Sequence, residues 1–290
     1  MSTEKYMAGF LDADAYVGIR SRLNATPDCE FEVSQREQFR EVVDLFTTEF
    51  GGYSRVREIK GGRYTVASFR GSAARKIFER LAKYAVLKGP WMRRALELVQ
   101  NAPVLKTPNE VAAFRSLWKQ QKRTAVAPER NYPSRKWLAG YFDGDGSFVV
   151  ATGHGSGYAY PHATILTESH LRVGVDLIYK AFGGNICALS TGNIQWTLHL
   201  SQPSKIREFI GFFANDLIIK RAQAYYLLGL ADGGNLRDGE TIRRHLQSLN
   251  AQQHRLNDQA SFATDLVRQV DFGIETKWKR RKLEAIVDPA

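Results

Sequence analysis

Two stretches of this chain repeat each other, and the repeat constrains the fold more than any other feature. Tyr6 to Ile19 reads YMAGFLDADAYVGI, and Trp137 to Val150 reads WLAGYFDGDGSFVV. Ala8, Gly9, Asp12 and Asp14 recur as Ala139, Gly140, Asp143 and Asp145, at a constant offset of 131. Bulky positions recur in kind: Tyr6 with Trp137, Met7 with Leu138, Phe10 with Tyr141, Leu11 with Phe142. Met7, Phe10 and Leu11 fall at helical spacing and make one apolar face, as do Leu138, Tyr141 and Phe142. Period-two alternation follows at once, so each copy reads as a short helix running into a strand. Gly9 and Ala13 lie four apart, as do Gly140 and Gly144, and small residues at that spacing let two backbones approach closely. The two helices are therefore expected to pack together, with Asp14 and Asp145 at the ends of adjacent helices.

That is the unfavourable end for an acid. A helix C-terminus carries partial negative charge, and two carboxylates side by side repel. A divalent cation resolves both problems, and oxygen ligands of this kind suit Mg²⁺. An Asp-x-Asp could instead merely end a helix and open a turn. Two copies in the same context favour a site.

The net charge of +11 and pI near 9.6 point to a polyanionic partner, nucleic acid or an anionic surface. No apolar run approaches the roughly 20 residues that span a bilayer, and the N-terminus lacks a signal-peptide pattern, so no membrane association is expected. Cys29 and Cys187, the two cysteines, cannot build a disulfide framework or a four-ligand zinc site. A reducing, intracellular compartment is expected, a prokaryotic cytoplasm or an organelle matrix.

The first half, residues 1–121, reads as a helix, two hairpins and more helices. Strand 1 is expected to run through Leu23 and to return after Thr26-Pro27-Asp28, with Arg20, Arg22, Asn24, Glu30 and Glu32 outward. A helix is expected over Arg36 to Phe50, closed by Gly51-Gly52. The second hairpin, Tyr53 to Ile59 and Arg63 to Phe69, turns at Lys60-Gly61-Gly62, with Arg55, Arg57, Arg63 and Thr65 outward. Residues 122–134 form a linker, and 135–290 repeat the order. There the outward candidates are Ser147, His154 at a glycine-rich tip, and Asn193, Gln195 and Thr197. A two-stranded ribbon fits the major groove, where Arg pairs with guanine, Asn and Gln with adenine, and Glu accepts from cytosine. The two halves would then read different sequences. The basic run Lys277 to Lys282 is a candidate phosphate contact.

MAGFLDADA at 7–15 and LAGYFDGDG at 138–146 resemble the LAGLIDADG homing endonucleases, specifically the single-chain members with two motif copies. The first copy departs in ending on Ala15 where the family usually has Gly. The resemblance implies an α+β fold of two pseudo-symmetric αββαββα halves, with the motif helices at the seam and two antiparallel sheets forming a saddle over double-stranded DNA. It implies a monomeric, site-specific endonuclease that makes a metal-dependent double-strand break at a long, non-palindromic target. Mg²⁺ would be held by Asp14 and Asp145 with the carbonyls of Ala13 and Gly144, and Mn²⁺ or Ca²⁺ could substitute in binding. It also points to Lys88 and Lys220, at an offset of 132, as lysines near the scissile phosphate. Gln35 and Glu168, at the ends of the second strands, become candidates for positioning the attacking water. Either lysine also fits an ordinary loop–helix junction, and Glu168 also fits support of a helix N-terminus. The alternatives are an intron RNA-splicing maturase or a DNA-binding regulator that does not cut; retention of both motif acids argues against a pure regulator.

Overall fold

The computed structural model describes residues 2–59, 62–124, 132–152, 157–168, 172–191, 193–232 and 236–257. Each motif becomes a helix that passes directly into a strand: α1 (Ser2–Asp14) into β1 (Ala15–Arg20), and α6 (Arg135–Asp145) into β5 (Gly146–Thr152). The first half continues as β2 (Asp28–Arg36), α2 (Glu41–Phe50), β3 (Ser54–Ile59), β4 (Gly62–Arg70), α3 (Ser72–Leu81), α4 (Gly89–Gln100) and α5 (Pro108–Thr124). The second follows with β6 (Ala159–Glu168), α7 (Arg172–Phe182), β7 (Asn185–Thr191), β8 (Asn193–Leu200), α8 (Pro203–Phe213), α9 (Arg221–Ala231) and α10 (Gly239–Asn257). The strands form two antiparallel four-stranded sheets with the same order, β1-β2-β4-β3 and β5-β6-β8-β7. This is the α+β architecture expected from the repeat.

Each sheet buries one face under its own helices. Phe31 of β2 packs against Phe69 of β4 and Phe46 of α2, at ring distances of 5.8 and 5.4 Å. In the second half Phe142 of α6 meets Phe148 of β5 at 4.6 Å and Phe213 of α8 at 5.3 Å. Met7, Phe10 and Leu11 are fully buried, as are Leu138, Tyr141 and Phe142. Burial of each such side chain contributes about 1.5–3 kcal/mol, so the apolar faces of the motif helices are central to the core. Ser134 caps α6 by accepting from the Trp137 amide. Gly51, at φ 75°, closes α2 as its sequence suggested.

Several local expectations change. Strand β1 stops at Arg20 because Asn24 takes a left-handed turn conformation (φ 56°) and its amide donates to Leu105 O at 2.7 Å. Arg22 and Asn24 therefore belong to the turn, not to the strand face, and Leu23 is exposed. Strand β2 runs to Arg36, since Ser34, Gln35 and Arg36 pair with Val66, Thr65 and Tyr64; helix α2 begins only at Glu41. Lys60, His154 and the Lys277–Lys282 run lie outside the described residues.

Candidate active site and nucleic-acid interface

Helices α1 and α6 touch backbone to backbone. A Cβ at Gly9 would stand 1.9 Å from Trp137 O, and one at Gly140 would stand 2.0 Å from Tyr6 O. Only glycine permits that approach, and it explains why both motifs place glycine at this position. Further along, Gly144 faces Ala13, and the Asp14 carboxylate lies 3.4 Å from the position a Gly144 Cβ would take. The first motif's carboxylate therefore sits against the end of the second motif's helix.

The penultimate motif acids, Asp12 and Asp143, hold the seam together. Both are buried. Asp12 accepts from the amides of Val86 (2.5 Å) and Lys88 (2.7 Å), and from Trp137 Nε1 (2.8 Å) of the other helix. Asp143 mirrors it, accepting from the amides of Ile218 (2.7 Å), Ile219 (3.1 Å) and Lys220 (2.9 Å), and from Tyr6 OH (2.6 Å). The first aromatic of each motif thus donates to the buried acid of the other. Burial pushes the Asp12 pKa up, and the Lys88 amide, Trp137 and the neighbouring amides pull it back. Such a carboxylate is tolerable in the interior because its donors are supplied. The sequence reading gave Asp12 and Asp143 no role beyond their recurrence.

Those anchored segments deliver the two lysines. Lys88 Nζ donates to the carbonyls of Leu11, Ala13 and Ala15 at 3.0, 3.0 and 2.8 Å. Lys220 Nζ donates to Phe142, Asp143 and Gly144 carbonyls at 2.9, 2.5 and 3.4 Å. Each ammonium therefore covers the negative end of one motif helix, which is the favourable place for a cation. Part of the electrostatic problem posed by the terminal acids is solved by the protein's own lysines. The carbonyls of Ala13 and Gly144 already accept from these lysines; each retains a second lone pair.

The remaining charge is that of Asp14 and Asp145. Asp14 Oδ2 accepts from Gln35 Nε2 at 3.2 Å. Desolvation raises the Asp14 pKa, while Lys220, Lys88 and the Gln35 hydrogen bond lower it. Burial pushes the Lys220 pKa down, opposed by Asp143, Asp14 and Asp145. The two terminal acids, both lysines and Gln35 are thereby brought to one place at the seam. Glu168 is not the structural counterpart of Gln35. Ala15 pairs with Val33 and Gly146 with Ile165, so two residues further on Gln35 corresponds to Thr167. Thr167 Oγ1 and Tyr141 OH are buried close to one another, with Tyr141 in the field of the Asp145 charge, and Thr65, paired with Gln35, is buried with an unpartnered hydroxyl.

The donor set fits a small hard cation. Among the described residues no three His, Cys, Asp or Glu side chains converge. Two carboxylates and backbone carbonyls make an all-oxygen donor set of the kind Mg²⁺ takes while keeping several waters.

Beyond Arg22 and Asn24, the outward faces of the sheets differ from expectation at two more residues, Arg63 and Thr65. Ile59 pairs with Gly62, and Arg57 with Tyr64. Arg55 and Arg57 therefore share the outer face with Val66 and Tyr64, whereas Thr65 belongs to the helix-covered side and Arg63 to the same inner row, where it pairs with Glu37 at 3.0 Å. Residues not foreseen on the outer face include Ser34, Arg36 and Arg70. Several outer cations are held by acids: Arg20 by Asp28 at 2.6 Å and Arg70 by Glu30 at 3.2 Å. Arg57 lies 3.9 Å from Glu32, which accepts from Ser68. Glu30 and Glu32 thus orient arginines in this structure. On the second sheet Ser147, Asn193, Gln195 and Thr197 occupy outward register positions, although Thr197 is largely covered. No helix among the described residues is long and apolar enough to cross a membrane.

No family model matches the sequence, and no curated protein matches it. Solved structures do match its fold. A structure of the meganuclease I-SmaMI bound to uncleaveable DNA aligns with TM-score 0.63 at 20% identity, covering 84% of this chain and 97% of that one. The LAGLIDADG meganuclease I-AabMI bound to uncleaved DNA aligns with TM-score 0.62 at 14% identity, covering 84% and 98%. The I-LtrWI LAGLIDADG homing endonuclease bound to target DNA gives TM-score 0.61 at 15% identity, covering 87% and 96%. I-SmaMI has also been solved on uncleaved DNA in the presence of calcium ions, with TM-score 0.60 at 18% identity, covering 94% of this chain and 99% of that one. The chain has the fold of the LAGLIDADG meganucleases.

Proposed function

We propose that this chain is a site-specific, metal-dependent DNA endonuclease that cuts one phosphodiester in each strand of a long, non-palindromic target. The observation that carries the reading is the placement of Asp14 and Asp145 with Lys88 and Lys220 at the contact of two helices. Their DNA-bound structural neighbours support the choice of partner. Both halves lie in one chain, so a monomer suffices. Half-sites one helical turn apart give a footprint on the order of 20 base pairs.

Asp14 and Asp145, with the Ala13 and Gly144 carbonyls, are the residues that would hold Mg²⁺. An ion held there would supply Lewis-acid activation of water and stabilisation of the charge that develops at the phosphate. Gln35 fixes the Asp14 carboxylate through its amide, leaving the other carboxylate oxygen available. Lys88 and Lys220, clamped on carbonyls, carry fixed positive charge next to the reacting phosphates, which costs no reorganisation as negative charge develops. In each strand water adds to phosphorus, one bridging P–O bond breaks, and the leaving oxygen takes a proton. Because the two sites share a seam, the two cuts fall close together across the minor groove.

The test is cleavage of a plasmid library carrying randomised inserts, in Mg²⁺ and in Ca²⁺. Linear product confined to a subset of sequences and to Mg²⁺ supports the reading. Binding of a defined sequence without strand scission in Mg²⁺ or Mn²⁺ sinks it in favour of a regulator.

A further inference from the structure

The two sheet faces are chemically unlike. The four strands of the first sheet hold six arginines in 30 residues, and those of the second hold no lysine or arginine in 32. The hairpin tips continue the contrast, since no lysine or arginine occurs from Gly146 to Leu171 or from Ala181 to Ser201. On the second sheet's outward face Val149, Leu166 and Leu189 are each about 40% exposed (41%, 41% and 42%). Leu189 pairs with Gln195, which sets an amide beside an apolar side chain, and Leu166 pairs with the largely covered Thr197. His162 adds no cation near neutrality, because burial and His199 lower its pKa.

Resting on the endonuclease reading, we propose that the second sheet binds an A·T-rich half-site through thymine methyl groups, while the first sheet reads a G·C-bearing half-site. The chemistry decides this. Guanine is recognised by arginine or lysine donating to O6 and N7, which the second sheet cannot supply. Thymine alone among the bases presents a methyl in the major groove, and exposed Val and Leu side chains are its natural contacts; Gln195 can pair with adenine N6 and N7. Val149, Leu166 and Leu189 are spread over three strands of this face, and its pseudo-symmetric correspondence with the face of the first sheet makes duplex DNA the partner we assign to it. Of the two sheet faces, only the first carries arginines that can also neutralise phosphate.

The experiment uses the full chain and a pool of randomised duplexes in Ca²⁺. Orientation is fixed by repeating the selection with Arg57→Gln, which relaxes a position in the half-site read by the first sheet. The expected consensus is A·T-rich on the opposite side. Replacing thymines there by deoxyuridine, which lacks the methyl, should weaken binding about 4-fold per buried methyl. The same replacement in the other half-site should change it by less than about 2-fold. An enriched site with equal G·C content in both halves, or indifference to deoxyuridine, overturns this inference alone. So does protection of only one half-site in a hydroxyl-radical footprint, which would mean that the second sheet faces a protein. A pool that yields no enriched sequence overturns the site-specific reading together with it.

Discussion

Replacing Tyr6 by Phe removes one hydroxyl from the seam and almost nothing else. That hydroxyl is buried and donates to Asp143 Oδ2 at 2.6 Å, across 137 residues of chain. Without it Oδ2 keeps the Ile218 and Ile219 amides, at 2.7 and 3.1 Å, and loses its one donor from the opposite helix. A hydrogen bond to a charged acceptor contributes about 1.5–3 kcal/mol, and leaving part of a buried carboxylate unsatisfied costs in the same range. In a protein of this size 1 kcal/mol moves Tm by about 2–4 °C, so Tyr6→Phe should melt roughly 3–12 °C lower by circular dichroism. Asp143 also holds the segment that delivers Lys220, so the variant should cut one strand more slowly than the other and accumulate nicked intermediate. Trp137→Phe removes the donor to Asp12 and should bias nicking towards the opposite strand. A Tyr6→Phe protein that melts within 1 °C of the parent, or whose two strands are cut in the parent's ratio, would refute this reasoning.

Asp14→Asn should raise the stability of the metal-free protein at pH 7 to 8. The folded pKa of Asp14 lies above its unfolded value, so its contribution is present at low pH and lost as pH rises through the folded pKa; removing the charge removes that loss. The same variant should lose most of the thermal upshift that Mg²⁺ gives the parent, measured by scanning calorimetry. Gly9→Ala and Gly140→Ala put a Cβ about 2 Å from a carbonyl oxygen and should cost more than about 3 kcal/mol or prevent folding. Gly211→Ala, on an exposed helix face with nothing within 4 Å, should be neutral or stabilising by up to about 1 kcal/mol in urea titrations. Burial lifts the Cys29 thiol to about 11, so at pH 8 a thiol reagent should modify the exposed Cys187 far faster than Cys29. Target DNA should protect Cys187, which stands on the outward face of β7.

Much of this arrangement was legible in the residues. The duplication exposed the helix pair, its terminal acids and the repeated hairpins, because close backbone contact and apolar spacing leave a local signature. The sheet face at residues 63 and 65 was not, for a reason that follows from period two. Reading Lys60-Gly61-Gly62 as a three-residue turn puts Arg63 and Thr65 outward; the observed pairing of Ile59 with Gly62 leaves two residues between the strands and inverts every later side chain. Asp12 and Asp143 were overlooked because their partners lie 74 to 77 residues away along their own half, or on the other motif. Their signal was present as the joint recurrence of a buried-position acid and an aromatic donor, Tyr6 or Trp137. The correspondence of Gln35 with Thr167, not Glu168, depends on strand register, which the sequence offset alone does not resolve.

The shared seam is tested most directly by strand-resolved cleavage of a supercoiled plasmid carrying the selected target, in Mg²⁺, by the parent, Asp14→Asn and Asp145→Asn. The parent should yield linear DNA, and each variant should bind in Ca²⁺ with the parent's affinity yet stop at nicked or uncut circles. Linear product at the parent's rate from either variant would contradict the assignment of those aspartates.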